Sequence, residues 1–214
     1  MSDAGLVERF RTLWGRMAPA GGGLEVGGRV LAAYEEPHRY YHGVEHLRDC
    51  LSQLDAAPAT RADRDLAETA LWFHDAVYDP RASDNEARSA EWAERALSDA
   101  GAPEPRAREV GRLIRLTDHG RPPGDPAGAL VCDVDLSVLG RPTAEFDEYE
   151  RRVRAEYDWV PEPLYREARA TILTRLLARG PLYGSEHFRS LYEKAARRNL
   201  ERSLGRLRPE GRAE

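Results

Sequence analysis

The chain has 214 residues, 41% apolar and 32% charged, with a formal net charge of -5. That length supports one substantial hydrophobic core, and the composition excludes both a disordered chain and a membrane-embedded one. The acidic balance argues against a general nucleic-acid binder, and no apolar run approaches the roughly 18–20 residues that cross a bilayer.

Apolar residues at helical spacing open the chain: Leu6, Phe10, Leu13, Trp14 and Met17. The opening MSDAGLVERFRTLWGRM has no apolar core of a secretory signal, and Cys50 and Cys132 match no zinc-ligand spacing. A cytoplasmic protein with reduced, partly buried thiols is therefore expected. Pro19 to Gly23 breaks the first helix, and a second runs from Leu24 to Tyr34 with Val26, Val30 and Leu31 inward. The run Arg39-Tyr40-Tyr41-His42-Gly43-Val44-Glu45-His46-Leu47 reads as a loop feeding a helix that begins near His42. Thr60 or Asp63 caps the next helix, which continues through Leu66, Ala70, Leu71, Phe73 and His74. Pro80 and Ser83 to Glu86 form a loop in which Ser83 and Glu86 have the spacing of a capping box. Ala87, Ala90, Trp92, Ala93 and Leu97 mark the helix after it.

A helix from about Arg106 to Thr117 buries Val110, Leu113 and Ile114. The Gly- and Pro-rich stretch from Asp118 to Pro126 is a loop. Leu130 to Gly140 could serve as a strand but reads as a buried helix, because nothing else supplies a sheet. Three more helices follow, from about Ala144 to Tyr157, from Pro163 to Arg179, and from Ser185 to about Leu204 with Phe188, Leu191, Tyr192, Ala195 and Leu200 on one side. With no repeat and no interior linker, the reading is a single all-α domain over residues 1–205 and a flexible tail over 206–214.

Four places set His or Asp among apolar residues: His42 with His46, His74 with Asp75, His119, and Asp133 with Asp135. Burying such groups is unfavourable unless they are paired, hydrogen-bonded or bound to a metal. His42 and His46 are four apart, which puts them on one face of the expected helix. Imidazole and carboxylate suit a divalent cation. On spacing alone the leading account is blander: a hydrogen-bonded core pair at His74 and Asp75, with His42 and His46 at the surface. His38 and His187 have no such company and read as structural or exposed.

The ordered segments YHGVEHL, ALWFHDAVYDP followed by DNEARSA, DVDLSVLG, EYERRVRAEYDWV and LYGSEHFRSLYEKAARRNLERSL cover roughly residues 5–205. Together they resemble the HD superfamily of metal-dependent phosphohydrolases, and within it a family of small, uncharacterised bacterial predicted HD phosphohydrolases. The resemblance implies an HD-type helical bundle with extra C-terminal helices. It implies that His46, His74 and Asp75 are metal ligands, with Asp133 or Asp135 as the last. Asp135 is favoured, because Asp-Leu-Ser followed by apolar residues is similar to the ligand segment of related phosphodiesterases. One or two divalent ions (Mn, Co, Ni, Zn, Fe or Mg) would be held, with Asp75 as the bridge if there are two.

His42 matches the proton-donating histidine in the Tyr-His-x-x-x-His pattern of cyclic-nucleotide phosphodiesterases, which makes it a candidate general acid. His119 and Asp133 are candidates for a second metal or a phosphate contact. Glu86 either orients a ligand or water, or caps its helix. A phosphate also needs a cationic partner, for which Arg152, Arg154, Arg169 and Arg175 are candidates. The implied activity is metal-dependent hydrolysis of a phosphoester or phosphoanhydride in a small phosphorylated compound, nucleotides included. The chain has no Gly-Tyr-Pro signature of cyclic-di-GMP hydrolases and no placeable glutamine-centred purine pocket, so the resemblance names no substrate. Two alternatives stay open: a di-iron HD-type oxygenase drawing on His119, and a non-catalytic nucleotide- or nucleic-acid-binding module. The second would use the basic run Arg197, Arg198, Arg202, Arg206 and Arg208. Interleaved Glu193, Glu201 and Glu210 favour an ion-paired helix face there.

Overall fold

Every regular element is helical in the computed structural model, which describes residues 2–208. The helices are α1 (Asp3–Met17), α2 (Gly23–Tyr34), α3 (Val44–Ala56), α4 (Arg61–Phe73), α5 (Asn85–Asp99), α6 (Glu104–Arg115), α7 (Pro126–Asp135), α8 (Thr143–Glu156), α9 (Glu162–Leu177) and α10 (Glu186–Leu207). The all-α class expected from the periodicity is therefore what the chain adopts. The residues expected as one domain group into two compact units, one up to Asp135 and one from Leu136. No described helix is long and apolar enough to cross a membrane.

The first unit is organised around α4. Thr60 starts this helix by accepting a hydrogen bond from the Asp63 amide at 3.2 Å, satisfying one of the free N–H groups of the first turn. Seven consecutive residues, Ala67 to Phe73, are then buried, so the helix is covered on every side. Its neighbours are α1, α3, α5, α6 and α7. Aromatic rings fill the α1 side: Phe10 lies 5.0 Å from Trp72 edge to face and 5.2 Å from Trp14 stacked. The buried carboxylate of Glu68 is held by Arg9 Nε at 2.7 Å, and Arg9 also forks onto Asp55. In the second unit, α10 packs on α9 and on a 3-10 turn over Leu136–Gly140. Buried Asn199 donates to the carbonyls of Leu139 and Arg141, both at 2.9 Å, which ties helix to turn.

Several boundaries differ from the sequence reading, each for a local reason. The helix expected to begin near His42 begins at Val44, because Gly43 is extended (φ -109°, ψ -167°) and serves as N-cap. His42 is thus in the loop, and it does not share a helix face with His46. Helix α4 stops at Phe73, so His74 caps its C-terminus rather than continuing it. The Ser83–Glu86 capping box does not form: Asp84 is the N-cap of α5 and no side chain caps it. Helix α7 starts at Pro126, four residues before the expected start, with Asp125 accepting from the Gly128 amide at 2.9 Å. Proline at a first helical position after an acidic cap is a start signal that the glycine-rich surroundings hid. The helix also ends at Asp135, and the rest of the expected stretch tightens into the 3-10 turn. On α10, Leu191 is exposed, and Asn199 and Ser203 join Phe188, Ala196 and Leu200 on the buried side. Of the expected tail, Arg206 and Leu207 belong to α10, and residues 209–214 lie outside the described part.

Candidate metal centre

Three helices that pack on one another, α3, α4 and α7, bring their ends to one place. His46 stands in the first turn of α3, His74 and Asp75 follow the last turn of α4, and Asp135 is the last residue of α7. His46 and His74 are buried, and the Asp75 and Asp135 side chains are each 16% exposed. The two Nε2 atoms lie 3.1 Å apart. Asp135 Oδ1 is 3.2 Å from His46 Nε2 and 3.6 Å from His74 Nε2. Asp75 Oδ2 is 3.0 Å from His74 Nε2 and 3.6 Å from His46 Nε2. These distances are short, but Asp75 Oδ2 is buried and aligned for a hydrogen bond with no group.

One hydrogen bond decides how these atoms can work. His74 Nδ1 lies 2.8 Å from the Leu71 carbonyl, which can only accept, so Nδ1 carries a proton. The lone pair of a neutral His74 is therefore on Nε2 and faces His46, Asp75 and Asp135. Without a metal ion, a proton takes that place. Burial by itself would lower the His74 pKa, yet the charge of Asp75, with Tyr34 and Asp135 adding to it, holds it well above the usual histidine range. Burial likewise would raise the two carboxyls. For Asp75 the His74 charge outweighs it, and for Asp135 the hydrogen bonds of His119, His46 and His74 do, so both sit well below the ordinary range. Converging donors, a fixed tautomer and an orphaned carboxylate oxygen are what a cation site requires.

Among the described residues, His46, Cys50, His74 and Asp135 form a group that could hold a metal ion, their donor atoms all within 4.8 Å of one another. Cys50 was missed in the sequence because a zinc pattern was sought between cysteines. The available signal was His46-x-x-x-Cys50, four apart on one helix face. Its Sγ lies 3.7 Å from His46 Nε2, it is free and buried, and burial pushes its thiol pKa well up.

Arg39 and Tyr34 were missed too. The Arg39 side chain is fully buried and donates to the carbonyls of Asp75 at 2.5 Å and His42 at 3.1 Å, joining the His42 loop to the His74–Asp75 turn. Its guanidinium also lies over the rings of Tyr34 and Tyr78. The Tyr34 hydroxyl accepts from the Asp75 amide at 3.3 Å.

His119 is brought to the centre, with Nε2 2.9 Å from Asp135 Oδ2. It is the only non-glycine residue with positive φ among those described, at 51°. A left-handed histidine costs about 1–2 kcal/mol, so packing around the 3-10 turn over Leu116–Asp118 must enforce it. His42 is half-buried and stacks on Tyr78 at 4.4 Å, its ring 6.0 Å from that of His46. Glu86, in the first turn of α5, has a raised carboxyl pKa, mainly through burial and further through the charges of Asp75 and Asp118. Asp133 is buried but outside the converging group, since two residues turn a helix by about 200°.

The arginines put forward for phosphate are mostly engaged within the second unit. Arg152 pairs with Glu148, Arg154 with Glu162 and the Tyr157 and Val160 carbonyls, and buried Arg169 with Glu150 and Tyr149. Three arginines of the C-terminal basic run are ion-paired as well, Arg197 with Glu193 and both Arg202 and Arg206 with Asp147. A surface groove along α1 and α4 shows four arginines, each occupied: Arg9 by Asp55 and Glu68, Arg16 and Arg61 by Asp65, and Arg64 by the Leu54 and Ala57 carbonyls.

Comparison with family models, with curated proteins and with solved structures finds no match for this chain.

Proposed function

We propose that this chain is a metal-dependent phosphohydrolase of the HD type, cleaving a phosphoester or phosphoanhydride bond in a small phosphorylated compound, with nucleotides the first class to test. The observation that carries the reading is the convergence of His46 Nε2, His74 Nε2 and Asp135 Oδ1, with the buried and unbonded Asp75 Oδ2 beside them. These are the residues, in the order, that the resemblance implies. His46, His74, Asp75 and Asp135 would hold the ion. A divalent cation there supplies Lewis-acid polarisation of a phosphoryl oxygen and a water of lowered pKa. Cys50 and Cys132 are both thiols outside any disulfide, which fits the reducing, cytoplasmic setting proposed for the chain.

The remaining work belongs to the chain's own groups. The Leu71 carbonyl fixes the His74 tautomer, and Arg39 and Tyr34 hold the turn that carries Asp75. His119 engages Asp135 Oδ2 and so turns Oδ1 toward the two histidines. His42 and Glu86 are titratable groups within electrostatic reach of Asp75 that are outside the ligand set. His42 is the proton donor to the leaving oxygen in this reading, and Glu86 a partner for the attacking water.

The test is metal analysis of the purified chain, then a phosphatase and phosphodiesterase panel after stripping and reloading with each candidate ion. Loaded protein should turn over at least one phosphate ester, and His74→Ala and Asp75→Ala should lose both metal and turnover. Inert loaded protein across the panel would rule the activity out, and retained metal in both variants would rule the ligands out. The His119–Asp135 contact favours one further reading, a di-iron oxygenase with an added histidine ligand. An iron spectrum with oxygen-dependent substrate loss would select it.

A further inference from the structure

Cys50 sits where a metal donor would. It is one turn beyond His46 on α3, and its Sγ is 3.7 Å from His46 Nε2 and 3.8 Å from Nδ1. The same atom lies within 4.8 Å of the donor atoms of His74 and Asp135. A tetrahedral ion with metal–nitrogen distances of about 2.0–2.1 Å and metal–sulfur of about 2.3 Å keeps its donors about 3.3–3.6 Å apart. The separations of 3.1 Å between the histidines and 3.2 and 3.6 Å from them to Asp135 fall near that range, and the sulfur, 3.7 and 3.8 Å from the two His46 ring nitrogens, joins the shell by a turn of the Cys50 side chain. The thiol is also in the wrong company for a purely structural cysteine: its surroundings include two imidazoles and the carboxylate of Asp135.

Donor chemistry then bears on the ion. Magnesium and calcium seek shells made of oxygen, and magnesium keeps several waters in an octahedron. Two imidazoles, a sulfur and carboxylate oxygen suit zinc, cobalt or ferrous iron instead. We propose that Cys50 supplies a sulfur donor to this centre, and that the centre therefore takes a borderline, thiophilic divalent ion of the zinc type in preference to a hard, oxygen-seeking one. The inference rests on the metal-dependent reading above, and it adds the class of cofactor. Binding displaces the thiol proton to the buffer as the sulfur–metal bond forms.

The experiment uses the full chain, stripped by chelator and titrated with cobalt(II). A sulfur-to-cobalt charge-transfer absorption should rise with the bound ion, persist in Cys132→Ser, and vanish in Cys50→Ser and Cys50→Ala. Because the chain has two cysteines, the band in Cys132→Ser identifies Cys50 even should the Cys50 variants fold poorly. Chelator competition gives the second readout. Zinc is expected to bind about tenfold or more weakly to Cys50→Ser, while manganese affinity stays unchanged. Bound cobalt with no charge-transfer band in the wild type would overturn the sulfur donor and leave the phosphohydrolase reading standing. An equal loss of zinc and manganese affinity would make Cys50 a packing residue and overturn it as well. Failure of the wild type to bind any ion would remove the metal centre altogether, and both readings with it.

Discussion

Asp135→Asn separates a metal centre from a hydrogen-bonded core cluster most directly, because it removes one charge with almost no change in shape. Asp135 faces His46 and His74 through Oδ1 at 3.2 and 3.6 Å, and His119 through Oδ2 at 2.9 Å. As a metal ligand, its carboxylate is one of the negative charges that hold the ion, and a hundredfold loss of affinity is expected. At saturating metal that loss removes about 2.7 kcal/mol of ligand-linked stability. For a chain of this length it amounts to about 5–11 °C of the metal-induced rise in melting temperature. As a core residue, Asp135 contributes charge-assisted hydrogen bonds of about 1.5–3 kcal/mol whether or not metal is present. The assay is therefore a four-cornered one: wild type and Asp135→Asn, each melted in excess chelator and in excess zinc. The metal reading predicts that zinc raises the wild type by far more than the variant. Parallel shifts in the two proteins, or no shift in either, would refute it.

Four further outcomes follow from the same geometry. A proton and a cation compete for His74 Nε2, whose pKa the neighbouring carboxylates hold well above the usual range. Metal affinity should thus fall as pH falls, by about one decade per pH unit for the His74 proton and a second for the Cys50 thiol proton when its sulfur binds, and a flat profile in chelator competition between about pH 6 and 8 would argue against that linkage. Asp133→Asn should lower stability and leave metal affinity unchanged, since Asp133 is buried outside the converging group; isothermal titration decides this. Arg39→Lys keeps one nitrogen for the Asp75 and His42 carbonyls, both served by Nη1, but loses the Nε and Nη2 bonds to Glu36 and the Ala76 carbonyl, so urea denaturation should show a loss of about 2–3 kcal/mol, accompanied by weaker metal binding. Gly140→Ala would place a Cβ 2.4 Å from Tyr192 Cβ and 2.9 Å from its Cα, which should destabilise by about 1–3 kcal/mol in the same measurement.

The sequence by itself determined the helices and the choice of reactive residues. Apolar spacing of 3.6 residues is a local property of each segment and marks most of the described helices, whereas α7 reads as a helix only because nothing else supplies a sheet. His and Asp residues inside apolar runs are conspicuous as candidates, but the set His46, His74, Asp75 and then Asp133 or Asp135 is what the resemblance to the HD superfamily implies. Helix ends were less legible. Gly43 as an extended cap, His74 as a C-cap and Pro126 as a start depend on one or two residues whose backbone angles the periodicity does not report. Tertiary structure decided the rest. Whether Asp133 or Asp135 joins the cluster depends on how α7 is rotated against α3 and α4, and that rotation is set by packing between segments far apart in sequence, from Val44 to Asp135. The same packing brings Cys50 to the histidines, lays Arg39 under the Asp75 turn and bends His119 into a left-handed conformation beside Asp135. Donor identity is written locally, but convergence is a property of three helices meeting, and convergence is what makes the donors a site.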